Sequence, residues 1–381
     1  MMGKVTVEKV TTKQQMHDFI HVVDIIYRDR PQYVPEFESA MYELFKVRTI
    51  SGLEFSDIQT FVAYRDGEPA GRVVGIINRK ANKKWKAKNA RFSMIEFIDD
   101  MDVSKALLDT MVSWAEENDM DAVIGPMGIT DFDKEGMLVE DFDLTGSINT
   151  VYNPDYYPRH MEALGFVKEV DWLQVRIDIP KEVPARYARV AQYAREQIGL
   201  RVIKVTNKQI KEEYGQKIFD LLNICYTHIF GFSELSPQQV DEFVERYINL
   251  IDKTLMPLVV NEKDEVVGVA ITMGSLTKAM QKSKGKLFPF GWFHFLKALK
   301  WKPDDNAEML LVAVHPEYQG LGVNAMFFDD LIPIYNRYGF KWAETGPQLE
   351  DNVRELSQWK PLHPSFVKRR RCYKKIIKLK D

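Results

Sequence analysis

Between an apolar run, Leu310-Leu311-Val312-Ala313-Val314, and an amphipathic stretch carrying Phe327, Phe328, Leu331 and Ile334, the chain reads His315-Pro316-Glu317-Tyr318-Gln319-Gly320-Leu321-Gly322-Val323-Asn324. A buried strand, a glycine-containing turn and a helix start, in that order, make an anion site. The first N–H groups of a helix find no partner inside it, and the helix dipole adds partial positive charge at the same end. On this reading the N–H groups from Gln319 to Asn324 are unpaired and directed at the helix mouth, where a pyrophosphate fits. Glycines at 320 and 322 let phosphate oxygens approach the backbone without meeting a Cβ.

The elements that must hold this turn occur twice. In the first half, Phe61-Val62-Ala63-Tyr64-Arg65 passes through Asp66-Gly67 into Gly71-Arg72-Val73-Val74-Gly75-Ile76-Ile77, which is a β-hairpin signal. In the second, Pro257-Leu258-Val259-Val260-Asn261 passes through 262–265 into Val266-Val267-Gly268-Val269-Ala270-Ile271. Helical patterns precede each hairpin, at 12–30 and at 208–226 and 237–251, with Thr12/Gln15 and Ser236/Gln239 placed for capping boxes. Each hairpin is followed by a strand, a helix and a short strand ending in Gly-Pro: 92–98, 103–118 and 122–126, then 309–314, 324–338 and 342–347. The pattern predicts two α/β domains of one topology, 1–180 and 195–381, joined near 180–195, and an internal duplication is the economical explanation.

Composition narrows the function classes. A length of 381 residues suits two domains, and 45% hydrophobic with 12% aromatic residues is ample for packed cores. A formal net charge of −3 argues against wrapping DNA. The start of the chain has no apolar secretory region, and no run is long enough to span a membrane, so a cytoplasmic home without stable membrane insertion is expected. Cys225 and Cys372 form no zinc pattern, and Cys225 is expected to be a buried core thiol.

The turn resembles the acyl-CoA turn of the GNAT superfamily of N-acetyltransferases, which reads Arg or Gln, two residues, Gly, one residue, then Gly or Ala. Here Gln319 and Gly322 fit and Asn324 departs. The resemblance covers the second domain closely and the first by element order, so the chain resembles a tandem member. It implies, for each domain, a mixed and mostly antiparallel sheet flanked by helices. It implies acetyl-CoA or another acyl-CoA as cofactor, held at Gln319, Gly320, Leu321, Gly322, Val323 and Asn324, with the pantetheine arm along Leu311, Val312, Ala313 and Val314. Asn352 matches a residue that begins a later helix and contacts the cofactor. The family's reaction is attack of an amine on the thioester, with a base for the amine proton and often a phenol for the leaving thiolate. Glu344, Glu308 and Glu234 are the base candidates. The phenol position holds Trp359, whose indole N–H has no useful acidity.

The first domain enters its helix through Asp99-Asp100-Met101-Asp102, so like charges would exclude a pyrophosphate there. Its polar stretch 125–136 reads as a loop. The aromatic segment Leu287-Phe288-Pro289-Phe290-Gly291-Trp292-Phe293-His294-Phe295-Leu296, followed by Lys297, Lys300 and Lys302, reads as a lid or homodimer contact, with an interfacial membrane helix as the alternative. The basic stretch 368–380 reads as an edge strand whose lysines block pairing with other chains. The expected activity is N-acetyl transfer to a small-molecule or peptide amine. The alternatives are a Fem-type aminoacyl transferase, whose tRNA substrate the basic tail would suit, and a non-catalytic acyl-CoA-binding or scaffold protein.

Overall fold

The computed structural model of the chain describes residues 3–43, 52–247, 250–301 and 303–378; residues 248 and 249 of the second helical pattern, Lys302 and Lys380 lie outside the described residues. The chain divides into two compact units, Met1–Leu173 with Ala279–Trp292 and Lys368–Asp381, and Gln174–Lys278 with Phe293–Val367.

The chain first forms β1 (Val5–Lys9), α1 (Lys13–Ile26), α2 (Glu38–Glu43), β2 (Ser56–Arg65), β3 (Glu68–Asn78), α3 (Arg79–Trp85), β4 (Asn89–Phe97), α4 (Met101–Glu117), β5 (Ala122–Gly125), β6 (Met137–Leu138), α5 (Tyr156–Ala163) and β7 (Val167–Asp178). Thr12 and Gln15 close the capping box of α1. Arg65 and Glu68 face each other across a two-residue turn whose Asp66 and Gly67 both take positive φ, 53° and 89°. That turn matches the right-handed twist of the flanking strands. Strands β2, β3 and β4 are antiparallel, and β4 pairs parallel with β5. Val103, Leu107, Leu108 and Met111 of α4 bury one helix face among Phe61, Val73, Phe92 and Val123, as amphipathic spacing requires.

The remaining elements are α6 (Ala185–Gln197), β8 (Arg201–Ile203), α7 (Asn207–Gln209), which runs through a π-helical turn into α8 (Gly215–Tyr226), α9 (Pro237–Tyr247), β9 (Leu258–Val260), β10 (Val266–Gly274), α10 (Thr277–Ser283), α11 (Gly291–Leu296), β11 (Asn306–Val314), α12 (Val323–Tyr338), β12 (Trp342–Thr345), β13 (Gln348–Leu349), α13 (Val353–Ser357) and β14 (Ser365–Ile376). The Ser236/Gln239 box also forms, with backbone-to-side-chain bonds of 2.9 and 3.3 Å. Strands β9, β10 and β11 are antiparallel and β11 pairs parallel with β12, repeating the pattern of the first unit. Both repeats also carry a register shift between the second hairpin strand and the next strand, at Arg72/Val74 and at Ile271/Thr272. Met326, Phe327, Leu331 and Ile334 of α12 pack with Tyr187, Ala191 and Ala194 of α6 over Val259, Val267, Ala307 and Ala343. Each unit is thus a mixed, mostly antiparallel sheet flanked by helices.

Strand β14 corrects the edge-strand expectation. The strand order runs β1-β2-β3-β4-β5-β14-β7, so β14 is interior, and from Lys368 onward it belongs to the first unit. Its basic residues, with Lys378 just beyond it, neutralise carboxylates: Arg369 and Arg371 bind Asp171 at 3.2 and 2.9 Å, Lys374 binds Glu169 at 3.0 Å, and Lys378 binds Asp119 at 2.9 Å. Arg370 is fully buried and donates to the Val151 carbonyl. The physical reason for the charge run is local pairing within the first unit, and not solvation of an edge.

Candidate functional site

The second unit opens a gap beside β11. β11 and β12 pair in parallel only over Asn306–Met309 and Trp342–Thr345. The Gly346 N–H then donates to Met309 O at 2.8 Å, and β12 leaves the strand. On the opposite side the register with β10 steps from Ile271↔Leu311 to Thr272↔Met309, so Leu310 is an extra residue in a β-bulge. Leu310, Leu311 and Val312 are only partly buried although their strand is central. The carbonyls along this open side accept from side chains: Tyr226 Oη donates to Val312 O at 3.0 Å, and Cys225 Sγ and Gln319 Nε2 to Val314 O at 3.3 and 3.2 Å.

Beyond the open edge, a short 3₁₀ turn at Pro316–Tyr318 leads into α12. Gly320 and Gly322 both take positive φ, 83° and 95°, which explains glycine at both positions. Their surroundings differ. A Cβ on Gly320 would meet nothing within 4 Å, whereas one on Gly322 would lie 3.1 Å from Ala194 Cβ and from Val190 Cγ1 and O. Gly322 therefore lets α12 approach α6, and Gly320 faces open space. No side chain caps the start of α12. The sequence-based expectation of a continuous row of unpaired N–H groups needs one correction. Gln319 N donates to Pro316 O and Leu321 N to Tyr318 O, because the 3₁₀ turn uses them. Among the described residues, the N–H groups of Gly320, Gly322, Val323 and Asn324 donate to no protein acceptor. The Asn324 side chain donates to Gln358 Oε1 at 2.7 Å, and its Oδ1 is buried without a partner.

The candidate bases fall on different elements. Glu308 and Glu344 are buried and are register partners on β11 and β12, which sets both side chains on one face of the sheet. Neighbouring strands lie about 4.8 Å apart, so the two glutamates leave adjacent backbone positions, and their carboxylates turn to different donors. Each has donors: Ser275 Oγ and Thr277 Oγ1 at 2.7 and 3.3 Å from Glu308, and Gln174 Nε2 at 2.9 Å from Glu344. Arg176 of β7 stands in register with Glu344 and stacks on Trp342, its guanidinium carbon 3.9 Å from the ring centroid. Glu234 is exposed on the segment between α8 and α9. Asn352 is exposed just before α13 and accepts Leu356 N at 3.0 Å.

Trp359, at the phenol position, is a core residue. It is buried, it meets Phe328 edge to face at 5.6 Å, and its Nε1 donates to Gln348 Oε1 at 3.2 Å. The phenol that reaches the open strand edge is Tyr226, which sequence reading missed. Its register against β11 arises from the packing of α8 and leaves no spacing signal. Cys225 is half-buried at the same edge, which corrects the core-thiol expectation, and burial pushes its thiol up to about 11.

The matching helix start in the first unit has a different chemistry. Asp100 caps α4 by accepting from Asp102 N at 2.9 Å, and Arg65 lies 3.4 Å from both carboxylates. The stretch after β5 packs Asp131 and Glu135 near buried Arg91, which donates to Gly128 O at 2.9 Å. Asp131 Oδ1 and Glu135 Oε2 have no partner, and burial raises both acids, Asp131 to about 7.

No protein-family model matches the chain. The chain is similar to protein YghO of Escherichia coli (strain K12), at 23% identity over 373 residues, which is 96% of this chain and 94% of that protein. It is similar to a bacterial ceramide synthase of Caulobacter vibrioides (strain NA1000 / CB15N), at 24% identity over 315 residues, 81% of this chain and 80% of that one. Among solved structures, a tandem GNAT protein from the clavulanic acid biosynthesis pathway, without AcCoA, aligns over 99% of this chain and 100% of its own, with a TM-score of 0.56 and 12% identity. The hairpin, helix and parallel strand recur in both units of this chain, and the chain aligns along the whole of that structure, so its fold is the tandem GNAT fold.

Proposed function

We propose that the second unit transfers an acyl group from acyl-CoA to an amine. The observation that carries this reading is the open edge of β11 leading through a short 3₁₀ turn into the uncapped start of α12. The pyrophosphate of the substrate would lie against the N–H groups of Gly320, Gly322, Val323 and Asn324, and its pantetheine arm along Leu311, Val312, Ala313 and Val314. We assign Asn352, at the head of α13, as a second polar contact for the same substrate.

The reaction balances with groups of this chain. The amine nitrogen attacks the thioester carbonyl, the C–S bond breaks, a proton leaves the amine, and the thiolate takes a proton. We assign amine deprotonation to the Glu308/Glu344 pair, acting directly or through water, with Glu234 as the outlying candidate. Tyr226, whose phenol stands at the open edge, is assigned the proton for the thiolate in place of the phenol that Trp359 cannot supply.

The similarity to a protein named a ceramide synthase favours a particular acceptor class. A ceramide is the amide of a long-chain amino alcohol, so the proposed acceptor is a long-chain amine and the proposed donor a long-chain acyl-CoA. The test is thiol release from acetyl-CoA and palmitoyl-CoA by the purified protein, offered a dipeptide, an amino sugar, a polyamine and a long-chain amino alcohol. Amide formation on the long-chain amine supports the full proposal. Transfer only to another amine overturns the acceptor, and acyl-CoA binding without release on any acceptor overturns the transferase in favour of a binding protein.

A further inference from the structure

The segment 287–301 exposes apolar side chains that a folded chain ordinarily hides. Phe288 is 79% exposed, Phe290 77% and Trp301 62%, and Trp292, Phe293 and Leu299 are exposed beside them. Scattered apolar residues on a surface need no explanation, but a run of aromatics does. The charge along the run in sequence is all of one sign. From 277 to 303 the sequence contains no Asp or Glu, in a chain whose formal net charge is −3. Lys278 and Lys286 are spent on ion pairs with Asp305 and Glu38, at 3.3 and 3.1 Å. Lys282 and Lys284 before the aromatics, and Lys297 and Lys300 among and after them, are exposed and make no ion pair among the described residues.

We infer that this segment docks the protein on the surface of an anionic lipid bilayer. Aromatic rings settle at the boundary between headgroups and acyl chains, and lysines on the same segment reach outward to anionic headgroups while their stems cover apolar surface. Among the described residues no helix is long and apolar enough to cross a membrane, so the contact is with the surface. The complementarity is specific to a negative partner: the same lysines would have little to gain from a zwitterionic surface. This inference does not depend on the chemistry of the second unit, although a surface of this kind would bring the site to an acceptor that resides in lipid.

The experiment is co-sedimentation of the full chain with vesicles of phosphatidylcholine alone and of phosphatidylcholine with phosphatidylglycerol. Binding to the anionic vesicles, weakened by salt, is expected. The double variant Phe288→Ser/Phe290→Ser should lose it, and each of Lys282→Gln, Lys284→Gln, Lys297→Gln and Lys300→Gln should lower the partition coefficient on the order of fivefold. Circular dichroism and calorimetric acyl-CoA binding, measured on the same variants, report on folding and on the catalytic reading separately. Sedimentation that ignores both lipid charge and these substitutions would overturn the inference. So would self-association without lipid that the double variant abolishes, because the segment would then be a contact between copies of this chain.

Discussion

Gly320 and Gly322 sit two residues apart with the same backbone handedness, yet their substitutions are expected to act on different properties. Gly320→Ala places a methyl in open space at a φ of 83°, so its cost is the left-handed backbone alone, about 1 kcal/mol of stability. Acyl-CoA affinity should be nearly unchanged. Gly320→Glu adds to that strain a carboxylate at the proposed pyrophosphate site. At a separation of about 5 Å, a like-charge pair costs about 0.8 kcal/mol in bulk water and about 3 kcal/mol at an effective dielectric of 20. A pyrophosphate carries two such charges, so acyl-CoA affinity should fall by about 2–6 kcal/mol, at least tenfold in Kd. Gly322→Ala drives a methyl to 3.1 Å from Ala194 and Val190 of α6 and should destabilise the second unit by about 1–3 kcal/mol beyond the backbone strain. Isothermal titration with acetyl-CoA and palmitoyl-CoA measures affinity, and urea titration measures stability. Equal affinity of Gly320→Glu and Gly320→Ala would refute the placement of phosphate at this turn, because the two variants share the strain and differ chiefly in charge.

Three further outcomes are expected. Tyr226→Phe should lower kcat by about 10²–10⁴ with little change in KM if its phenol protonates the thiolate; a stopped-flow rate equal to wild type would remove that role. Trp359→Ala should destabilise the protein by about 3–5 kcal/mol as a large-to-small core substitution, seen as a lowered urea midpoint, whereas an unchanged midpoint would contradict its burial against Phe328. The acid Asp131, partly buried with its Oδ1 shut away from solvent, predicts a pH dependence. Its folded pKa lies above the unfolded one, so the stability it contributes is full at low pH and is lost as pH rises from about 4 through about 7. The difference between 3.8 and about 7 sets an upper bound of roughly 4 kcal/mol, and the pH dependence is shared with neighbouring Glu135. Urea midpoints at pH 5 and pH 8 should differ in wild type and converge in Asp131→Asn; a parallel loss in both would assign the effect to other groups.

The features legible in the sequence were those fixed by a few adjacent residues. Asp66-Gly67 announces its hairpin because few residues tolerate two positive φ values in succession. Thr12 with Gln15, and Ser236 with Gln239, announce helix starts because a side chain must meet an N–H three residues away. The turn at 318–324 belongs to the same class, and even there the 3₁₀ geometry that consumes the Gln319 and Leu321 N–H groups was not apparent. Features set by tertiary register were hidden. The in-register placement of Glu308 and Glu344 depends on how two parallel strands slide past each other. Tyr226 reaches Val312 only because α8 ends over the open edge. The basic residues of β14 resembled an edge strand until their partners, Asp171, Glu169 and Asp119, were seen to lie far away in sequence and close in space.

The return of β14 to the first unit governs how this chain can be made. On a ribosome, residues 1–173 emerge with most of their strands and helices, but the strand that stands between β5 and β7 emerges only after the second unit. Until then β5 offers an unpaired edge, and Asp171 lacks the arginines that neutralise it. Contacts that close so long a loop form late, so the first unit cannot mature ahead of the second during synthesis. A cut after Val367 would remove a strand of the first unit, some two hundred residues of sequence away from the rest of that unit's sheet.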